Sequence, residues 1–567
     1  MSPSSLPDFV PPSPGAWELE QTHVTRPVSP YTAEIFPGGV QRGFTDGTRN
    51  YGSLVEYIDL CVVNGFLYST IRAVAAPKNA TGLPPKPLFK AMRWLHPEFR
   101  RRVARSERIW DERPWRDEVR QWREEVKPGI ASRARAFLAE DLSGMTDAQL
   151  VDFLQRTKAF AHETIYWHHR FNMCAMIPLG DFLAHVMDWT GLPPTEILKV
   201  VRGLSPASAG AVDELAAVRA ALRADAEAMM LLLGSSAPAT IVDGLAARPG
   251  AAGDAVRAYL DLVGLRIIGA YDPCERHARE QPELLVKILR TAVTGDPVTM
   301  EATATQAVST LRAKIPAGHQ ARFDALLEEV RATFAIRDER ALHGDAVGSG
   351  VARCGLLEAG RRLTARGLLR DPQHAVNATV DELASLLVGG VGPSADVVAE
   401  RHRYRLETPL SAAPQFIGIP PFPPPPAEWL SGGARRLHRA TMLVLDLMFQ
   451  TRKGDAAPAG ARALKGFGVS PGIYEGPARV IRRLEELETV QQGEVLVTAS
   501  TSPTFNVVLP LVGAIVTERG GALCHAAIVA REFGLPGVVG CPGALDAIST
   551  GTRVRVDGAT GDVQVLR

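Results

Sequence analysis

Cysteine is scarce in this sequence, and long apolar runs and an excess of charge of one sign are absent. No two cysteines form a CxxC pair, a pattern that favours free thiols in a reducing compartment over a disulfide framework or a structural zinc site. The six cysteines are Cys61, Cys174, Cys274, Cys354, Cys524 and Cys541. Aromatic residues make up only 6% of the chain, so no aromatic cage marks a ligand site.

No apolar segment approaches the roughly 18 residues that a membrane-spanning helix requires. The longest, residues 507–516, contains Pro510 and Gly513. The N-terminal stretch MSPSSLPDFVPPSPGAWELE has no basic segment followed by an apolar one, so it does not resemble a signal peptide. We therefore expect a cytoplasmic protein with no membrane partner.

The charges of the chain are balanced. There are 63 Lys and Arg against 62 Asp and Glu, which gives a formal net charge of +1. This balance argues against a polybasic protein that binds nucleic acid or a membrane surface. The 567 residues, of which 46% are hydrophobic and 22% charged, predict a globular protein with several domains and a sizeable core.

Two changes in composition divide the chain. Residues 419–426 (IPPFPPPP) form a stiff, extended stretch of the polyproline type. Residues 453–463 (KGDAAPAGARA) are small and polar enough to form a flexible connector. We therefore predict a large, mainly α-helical domain at residues 1–450, a linker at 451–465 and a C-terminal α/β domain at 466–567.

Helical periodicity dominates residues 96–400. The clearest helix begins after Thr146, because Thr146 and Gln149 have the spacing of a capping box. Phe153 and Phe160 then lie one heptad apart on an apolar stripe. Further helices are expected at 211–233, 252–269, 301–314, 320–343 and 353–366.

The last hundred or so residues have a different pattern, in which short β-rich runs alternate with turn signals. The predicted strands are Ala478–Ile481, Glu494–Thr498, Ala514–Thr517, Val538–Val539, Arg553–Val556 and Asp562–Leu566. One strong helix begins near His525. This alternation predicts a compact α/β domain.

The stretch from Thr517 to Pro536 carries the clearest chemical signal. A predicted strand runs into Gly520 and Gly521, and His525 then opens an amphipathic helix. The first turn of a helix offers unpaired N–H groups and the positive end of its dipole, which suit a phosphate. A histidine placed there is expected to be neutral and therefore nucleophilic. These features predict a phosphohistidine site; the alternative is a histidine that merely caps a helix.

The same stretch, Thr-x-x-Gly-Gly-x-x-x-His-Ala-Ala-Ile-x-Ala-Arg-Glu-x-Gly-x-Pro, resembles the signature of the swivelling phosphohistidine domain of phosphoenolpyruvate-utilising enzymes. That group includes enzymes of the phosphoenolpyruvate synthase, pyruvate phosphate dikinase, rifampicin phosphotransferase and phenylphosphate synthase types. The resemblance extends to GVSPG at 468–472, GEVLV at 493–497 and VRVDG at 554–558.

The resemblance implies roles for single residues. His525 would be the phosphorylated residue. The residues that would support its phosphate loop are Thr517, Gly520, Gly521, Cys524 and Arg531. Cys524 stands where relatives carry Ser or Cys. For Arg531 the alternative is a structural ion pair or a solvated charge.

Patches along the helical region resemble the acceptor-binding domain of enzymes of the rifampicin phosphotransferase type. They are residues 17–30, 63–68, 264–266, 355–363 and 381–382. The sequence has no Walker-type phosphate-binding motif and no recognisable ATP-grasp region. The resemblance therefore implies that ATP and Mg²⁺ are bound by a separate ATP-grasp-type subunit, as in the phenylphosphate synthase arrangement. No metal ligand is assigned to this chain.

The segment that follows His525 is also much shorter than the roughly 250 residues of a (β/α)8 barrel. Relatives that synthesise phosphoenolpyruvate place such a barrel there. We therefore expect that this chain alone does not make phosphoenolpyruvate.

Two groups of residues are candidates for the acceptor site. His162, Tyr166 and His169 share a helix face opposite the apolar stripe, and one of these histidines would act as the general base. The alternative is that they are ordinary core or surface residues. Arg337 and Arg340 would neutralise phosphate charge during transfer. Their alternative is a solvated, salt-bridged helix face.

These observations predict the acceptor-binding and phosphohistidine-carrying subunit of a two-component, ATP-dependent phosphotransferase. By resemblance, ATP would be split in the dikinase pattern to AMP and phosphate. The phosphoryl group would pass through His525 to a hydroxyl of a small acceptor, preferably a phenol. The alternatives are a bulky natural product such as a rifamycin-like antibiotic as acceptor, or a phosphocarrier or regulatory binding protein without acceptor chemistry.

Overall fold

The chain forms two compact units. The computed structural model describes residues 8–21, 24, 26–205, 212–267, 272–294, 301–449, 458, 460–501, 505 and 508–566. The first unit consists of residues 1–177, 271–274 and 343–441, and the second of residues 178–270, 275–342 and 442–567.

Helices make up about 60% of the structure. In chain order they are α1 (Pro30–Tyr51), α2 (Lys86–Leu95), α3 (Pro97–Glu112), α4 (Pro114–Gln121), α5 (Lys127–Leu138), α6 (Asp147–Arg170), α7 (Asn172–Thr190), α8 (Pro194–Ile197), α9 (Val212–Arg223), α10 (Ala226–Leu233), α11 (Pro238–Ala247), α12 (Ala251–Val263), α13 (Pro282–Thr294), α14 (Glu301–Ala313), α15 (Gln320–Thr333), α16 (Ile336–Arg340), α17 (Ala346–Ala365), α18 (Val380–Leu387), α19 (Ala395–Glu407), α20 (Gly432–Phe449), α21 (His525–Phe533) and α22 (Ala544–Ala547).

The strands belong to two sheets. They are β1 (Ala16–Leu19), β2 (Val55–Val63), β3 (Phe66–Ala73), β4 (Phe416–Gly418), β5 (Ala463–Lys465), β6 (Phe467–Ser470), β7 (Ile473–Ile481), β8 (Glu494–Thr498), β9 (Val512–Thr517), β10 (Gly537–Val539), β11 (Arg553–Asp557) and β12 (Asp562–Val565).

The sheet of the first unit has the antiparallel order β2-β3-β1-β4. Asn64 and Gly65 join β2 to β3 with φ angles of 52° and 82°, the left-handed pair that a type I′ hairpin turn requires. Trp17 of β1 pairs with Ile417 of β4, so strands from distant parts of the sequence complete the sheet.

The helical core of the first unit is formed by α1, α6, α17 and α18, whose apolar side chains are buried together. The start of α6 follows the predicted capping box. Thr146 Oγ1 accepts the N–H of Gln149, and Gln149 Oε1 accepts the N–H of Thr146 at 2.8 Å. The two bonds satisfy amides that would otherwise be unpaired, which fixes the first turn of α6.

A row of glycines brings α1 unusually close to α6. A Cβ at Gly39 would lie 2.7 Å from Ile165, and one at Gly43 would lie 2.5 Å from the carbonyl oxygen of Tyr166. Gly47, one further turn along, would meet the carbonyl oxygen of Arg170 at 2.8 Å. The glycines at this spacing therefore let the backbones of the two helices touch.

The sheet of the second unit has the order β5-β12-β11-β7-β8-β9-β10-β6. Its centre, β7-β8-β9-β10, is parallel, and the flanking pairs are antiparallel. The parallel neighbours β9 and β10 are connected through α21. Buried valines and alanines of β8, β9 and β10 form the core on one side of this sheet. The N-terminus of α21 consequently lies at the carboxyl ends of the parallel strands, where ligands bind in sheets of this kind.

The predicted fold class is confirmed: the chain is mainly helical with a C-terminal domain that contains strands. Each predicted C-terminal strand is present, and α21 begins at His525. The prediction missed β5 and β6 and the whole sheet of the first unit. It also joined α9 to α10, which are separated where Asp225 caps α10. Most of the predicted linker at 451–465 lies outside the described residues.

Within the part of the chain that the structure describes, no helix combines the length and the apolar character needed to cross a bilayer.

Replacing Gly43 with Ala should destabilise the protein by about 1–3 kcal/mol, because the added methyl group cannot fit against the backbone of α6. Urea denaturation measures the loss. Gly129→Ala on α5 is the matched control, since nothing lies within 4 Å of its Cβ position. That substitution should be neutral or stabilising by up to ~1 kcal/mol. Equal stability of both variants would contradict the close contact of α1 with α6.

Candidate active site

The site is built on the connection between β9 and α21. Thr517 ends β9, a seven-residue loop follows, and His525 is the first residue of α21. Cys524 is the N-cap, with φ −68° and ψ 164°. The N–H of Ile528 donates to the Cys524 carbonyl as the first bond of the helix. His525 therefore lies among the first-turn amides at the positive end of the helix dipole.

The loop requires a glycine at position 520. Gly520 has φ +105°, and a Cβ there would lie 2.6 Å from Cys524 Sγ. The N–H of Gly521 donates to the carbonyl of Met448, and the N–H of Leu523 donates to that of Leu447 at 2.8 Å. The last turn of α20 is thus bonded to the loop that precedes His525.

Thr517 and Arg531 hold the backbone of this loop. Thr517 Oγ1 donates to the carbonyl of Arg519 at 2.8 Å. Arg531 donates through Nη2 to the carbonyl of Ala522 at 2.7 Å and through Nη1 to that of Val469. Burial lowers the pKa of Arg531 to about 10 and raises the pKa of the Cys524 thiol. The structure places Thr517 and Arg531 as supports of the loop.

The two nitrogens of His525 have different surroundings. Nδ1 lies 2.9 Å from Thr501 Oγ1. Nε2 is buried and has no hydrogen-bond partner among the described residues. When Nδ1 carries the proton and its N–H donates a hydrogen bond to Thr501, the free lone pair is on Nε2. The imidazole therefore presents one unbonded nitrogen in a protected position.

Burial lowers the pKa of His525 to about 3. The nearby carboxylate of Asp338 opposes this shift, and the guanidinium of Arg337 adds to it. His525 is consequently neutral throughout the physiological range, which is the form that acts as a nucleophile.

The segment that carries this site is similar to a domain of known proteins. Residues 490–561 match the mobile domain of PEP-utilising enzymes, the segment that contains His525, Thr501 and Arg531. Residues 169–338 match the rifampicin phosphotransferase fourth domain. In these two segments the chain is similar to phosphoenolpyruvate-utilising enzymes and to rifampicin phosphotransferase.

The relatives that the chain matches carry several different names. A rifampicin phosphotransferase of Streptomyces sviceus is 29% identical over 344 residues, 57% of this chain and 36% of that protein. An uncharacterised protein of Mycobacterium tuberculosis is 30% identical over 438 residues, 74% of this chain and 45% of that protein. A probable phosphoenolpyruvate synthase of Archaeoglobus fulgidus is 46% identical over 100 residues, 18% of this chain and 13% of that protein. The chain spans less than half the length of these relatives.

Arg337 contacts the loop that precedes His525. Its Nη2 donates to the carbonyl of Leu523, two residues before His525. Its Nη1 is buried without a hydrogen-bond partner in the described structure, and burial lowers its pKa. Arg340, the second predicted arginine, is buried and donates through Nε to the carbonyl of Arg337 at 3.2 Å. The structure therefore places Arg337 against the loop that precedes His525, and Arg340 contacts the backbone of Arg337.

The three other predicted acceptor residues lie in the first unit, where α6 faces α1. A Cβ at Gly38 would lie 3.1 Å from His162 Nε2. Tyr166 donates to Asp46 at 3.0 Å, and the His169 ring stacks on Phe44 with 5.1 Å between ring centroids. Burial lowers the pKa of His162 and raises that of Tyr166. These contacts are those of packed residues, and a role for the three in acceptor binding stays a prediction.

Sequence reasoning missed Thr501 and Asp338 at this site. Thr501 follows β8, the parallel neighbour of β9, and Thr498 of β8 pairs with Thr517 of β9. Because the carboxyl ends of adjacent parallel strands meet at one edge, a polar residue just beyond β8 was a signal for a partner of His525. No local pattern indicates Asp338, since it reaches the site through the tertiary fold.

The imidazole of His525 should stay neutral as the solution is acidified. With ¹³C-labelled histidine, its Cε1 signal should not shift between pH 8 and about pH 4, because its pKa is about 3 in the folded protein. His525→Gln identifies the signal by its loss. Protein unfolded in urea is the control, since its histidines should titrate near 6.5. A midpoint between pH 5.5 and 7 in the folded protein would contradict the buried position of the ring.

Proposed function

We propose that this chain is the relay component of a phosphotransferase, in which His525 takes a phosphoryl group derived from ATP and passes it to a hydroxyl of an acceptor. The observation that supports this most strongly is the neutral, buried and unbonded Nε2 of His525 at the start of α21. Relatives named rifampicin phosphotransferase and phosphoenolpyruvate synthase support the same class of chemistry.

In the first step the lone pair of Nε2 forms a bond to phosphorus while the bond from phosphorus to the departing oxygen breaks. Nδ1 keeps its proton, and its N–H donates a hydrogen bond to Thr501 Oγ1, which maintains the reactive tautomer. The new phosphoryl group adds negative charge beside the first-turn amides of α21 and the unbonded Nη1 of Arg337. Both favour an anion at this position.

In the second step an acceptor hydroxyl oxygen attacks phosphorus, the N–P bond breaks and His525 becomes neutral again. The hydroxyl proton passes to a base, for which His162 and His169 are the predicted candidates. Arg337 would stabilise the charge on the transferring group. Thr517, Gly520, Gly521, Cys524 and Arg531 would support the loop in both steps.

ATP is proposed as the source of the phosphoryl group. The β-phosphoryl group would pass to His525 with AMP as the leaving group, and the γ-phosphoryl group would pass to water and leave as phosphate. We propose that a separate ATP-grasp-type subunit binds ATP and its Mg²⁺. Over the described ranges, no three acidic, histidine or cysteine side chains are grouped to hold a metal ion, and we derive no step through Mg²⁺ on this chain.

For the acceptor, we propose a small hydroxyl compound of the phenol type, bound by the helical residues 1–450. A bulky natural product is the second candidate, because residues 169–338 match the rifampicin phosphotransferase fourth domain. The cleft of about 440 Å³ in the first unit favours neither compound, since charged side chains such as Arg105, Glu118 and Arg170 line it. A phosphocarrier without acceptor chemistry is the third candidate.

The relay is tested by incubating the purified chain with ATP labelled at the β-phosphate, with and without extract of its native host. Acid-labile label on the wild type, absent from His525→Ala and retained by His319→Ala, is the expected result. Label that requires the extract would support a separate ATP-binding subunit. Label without extract would place the ATP site in this chain, and absence of label under every condition would exclude the relay.

The labelled protein also distinguishes the acceptors. It is mixed with phenol or with a rifamycin, and the small molecules are examined for a phosphoryl adduct by mass spectrometry. Transfer to phenol supports the first candidate and transfer to the rifamycin the second. A phosphorylated chain that transfers to neither, nor to other hydroxyl compounds, supports the carrier.

Arg337→Gln should shorten the half-life of phosphorylated His525 at neutral pH by at least about threefold, because the phosphoryl group loses a buried counter-charge. The half-life is followed by ³¹P NMR after phosphorylation with potassium phosphoramidate. Arg331→Ala, at an exposed position on α15, is the control and should behave like the wild type. Equal half-lives in the two variants would remove Arg337 from the mechanism.

A further inference from the structure

A buried carboxyl that the proposed chemistry does not use lies at the far end of the histidine helix. Glu532 is 1% exposed and occupies the last turn of α21. Its Oε2 accepts the N–H of Gly203 at 2.9 Å, a contact between residues 329 positions apart in the sequence. Carboxyl groups are almost never buried so completely without a specific partner.

The segment that carries Gly203 also packs against the end of α21. Gly534 ends the helix in the left-handed conformation with φ +66°. A Cβ there would lie 2.7 Å from Arg202 Nη2, so any larger residue would displace this arginine. The contact leaves Arg202 Nε buried and without a hydrogen-bond partner among the described residues.

Arg337 contacts the other end of the same helix, through the carbonyl of Leu523. The two contacting segments are themselves connected, because Ser205 Oγ donates to the buried carboxylate of Asp338 at 2.8 Å. We call Arg202, Gly203 and Arg337 together the seat. A nine-residue helix is ~13 Å long, so the seat holds α21 at both of its ends.

Burial raises the pKa of Glu532 to about 7, with Asp338 acting in the same direction. The Gly203 amide and the guanidinium groups of Arg531 and Arg202 act against this shift. Gly203 and Arg202 of the seat, together with Arg531 of α21 itself, therefore offset part of the cost of burying this carboxyl. A bond that depends on those partners exists only while α21 is seated.

We propose that Glu532 is a positioning residue that seats the histidine helix through Gly203 and thereby controls access to Nε2 of His525. The proposal rests on the relay function of His525. Nε2 is buried while the helix is seated, so loosening the Glu532 contact should expose it. Glu532 thus acts on the reaction through the position of His525, without touching the reacting atoms.

The test measures how readily His525 reacts with diethyl pyrocarbonate, which modifies neutral imidazoles. Glu532→Ala should raise the modification rate of His525 at least fivefold, as read from the modified peptide by mass spectrometry. Glu532→Gln keeps an acceptor oxygen for Gly203 and should restore a rate near that of the wild type. The exposed His319 serves as the internal standard and should react equally in all variants.

Hydrogen exchange provides the second readout. In Glu532→Ala the amide of Gly203 should exchange faster, while the amides of the central strands β8 and β9 keep their protection. If those strands lose protection, the variant has lost its fold. Arg202→Ala, which changes the segment that contacts α21 and not α21 itself, is then measured in its place. Arg202→Ala should also raise the modification rate of His525.

The proposal is overturned if an intact Glu532→Ala, or Arg202→Ala in its place, leaves the reactivity of His525 and the exchange of Gly203 unchanged. It is also overturned if Glu532→Gln behaves like Glu532→Ala. None of these measurements requires phosphorylation. Failure of ATP-dependent labelling would therefore count against the relay, and failure of the reactivity test would count against the seat.

Discussion

The placement of one imidazole in a buried helix N-terminus is the constraint on which the site depends. Thr501 engages one nitrogen of His525 and leaves the other without a partner. A buried polar atom without a hydrogen bond costs about 1–3 kcal/mol. The same cost applies to Nη1 of Arg337. The fold tolerates both unsatisfied atoms. A phosphoryl group bonded to Nε2 would occupy its lone pair and would add acceptor oxygens for nearby donors.

The rest of the second unit explains how these atoms come to be unsatisfied. The parallel strands β8 and β9 bring Thr501 and the loop to one edge of the sheet, and Gly520 allows the loop to turn tightly under Cys524. The side chains of Thr517 and Arg531 donate hydrogen bonds to backbone carbonyls of the loop. These two donors are therefore engaged with backbone carbonyls. Nε2 of His525 has no hydrogen-bond partner among the described residues.

The sequence allowed the local features to be predicted because each has a local cause. The Gly-Gly turn before His525, the capping box at Thr146 and the alternating strands of the C-terminal domain are all short-range patterns. The partners of His525 were harder to foresee. Arg337 was selected for its charge, but nothing near it in the sequence shows that it bonds the carbonyl of Leu523. Glu532 likewise looks like an ordinary helix-end acid until Gly203 is placed beside it.

The first unit shows the same division between local and distant causes. The face of α6 with His162, Tyr166 and His169 carries few charges, which allowed either a cavity or a packed contact. In the structure this face of α6 packs against α1, because the glycines of α1 let the two helix backbones touch. The pairing of β1 with β4 was beyond any local pattern, since Trp17 and Ile417 are joined only by the folded chain.

The pairing of β5 with β12 has a consequence for the evolution of the C-terminal domain. Leu464, near the beginning of the domain, lies opposite Val563, near its end. The entry and exit of this domain are therefore side by side on one sheet edge, whatever precedes or follows them. A domain whose ends are adjacent can be inserted into another protein without disrupting either fold. Recombination could thus transfer this domain between otherwise unrelated polypeptides.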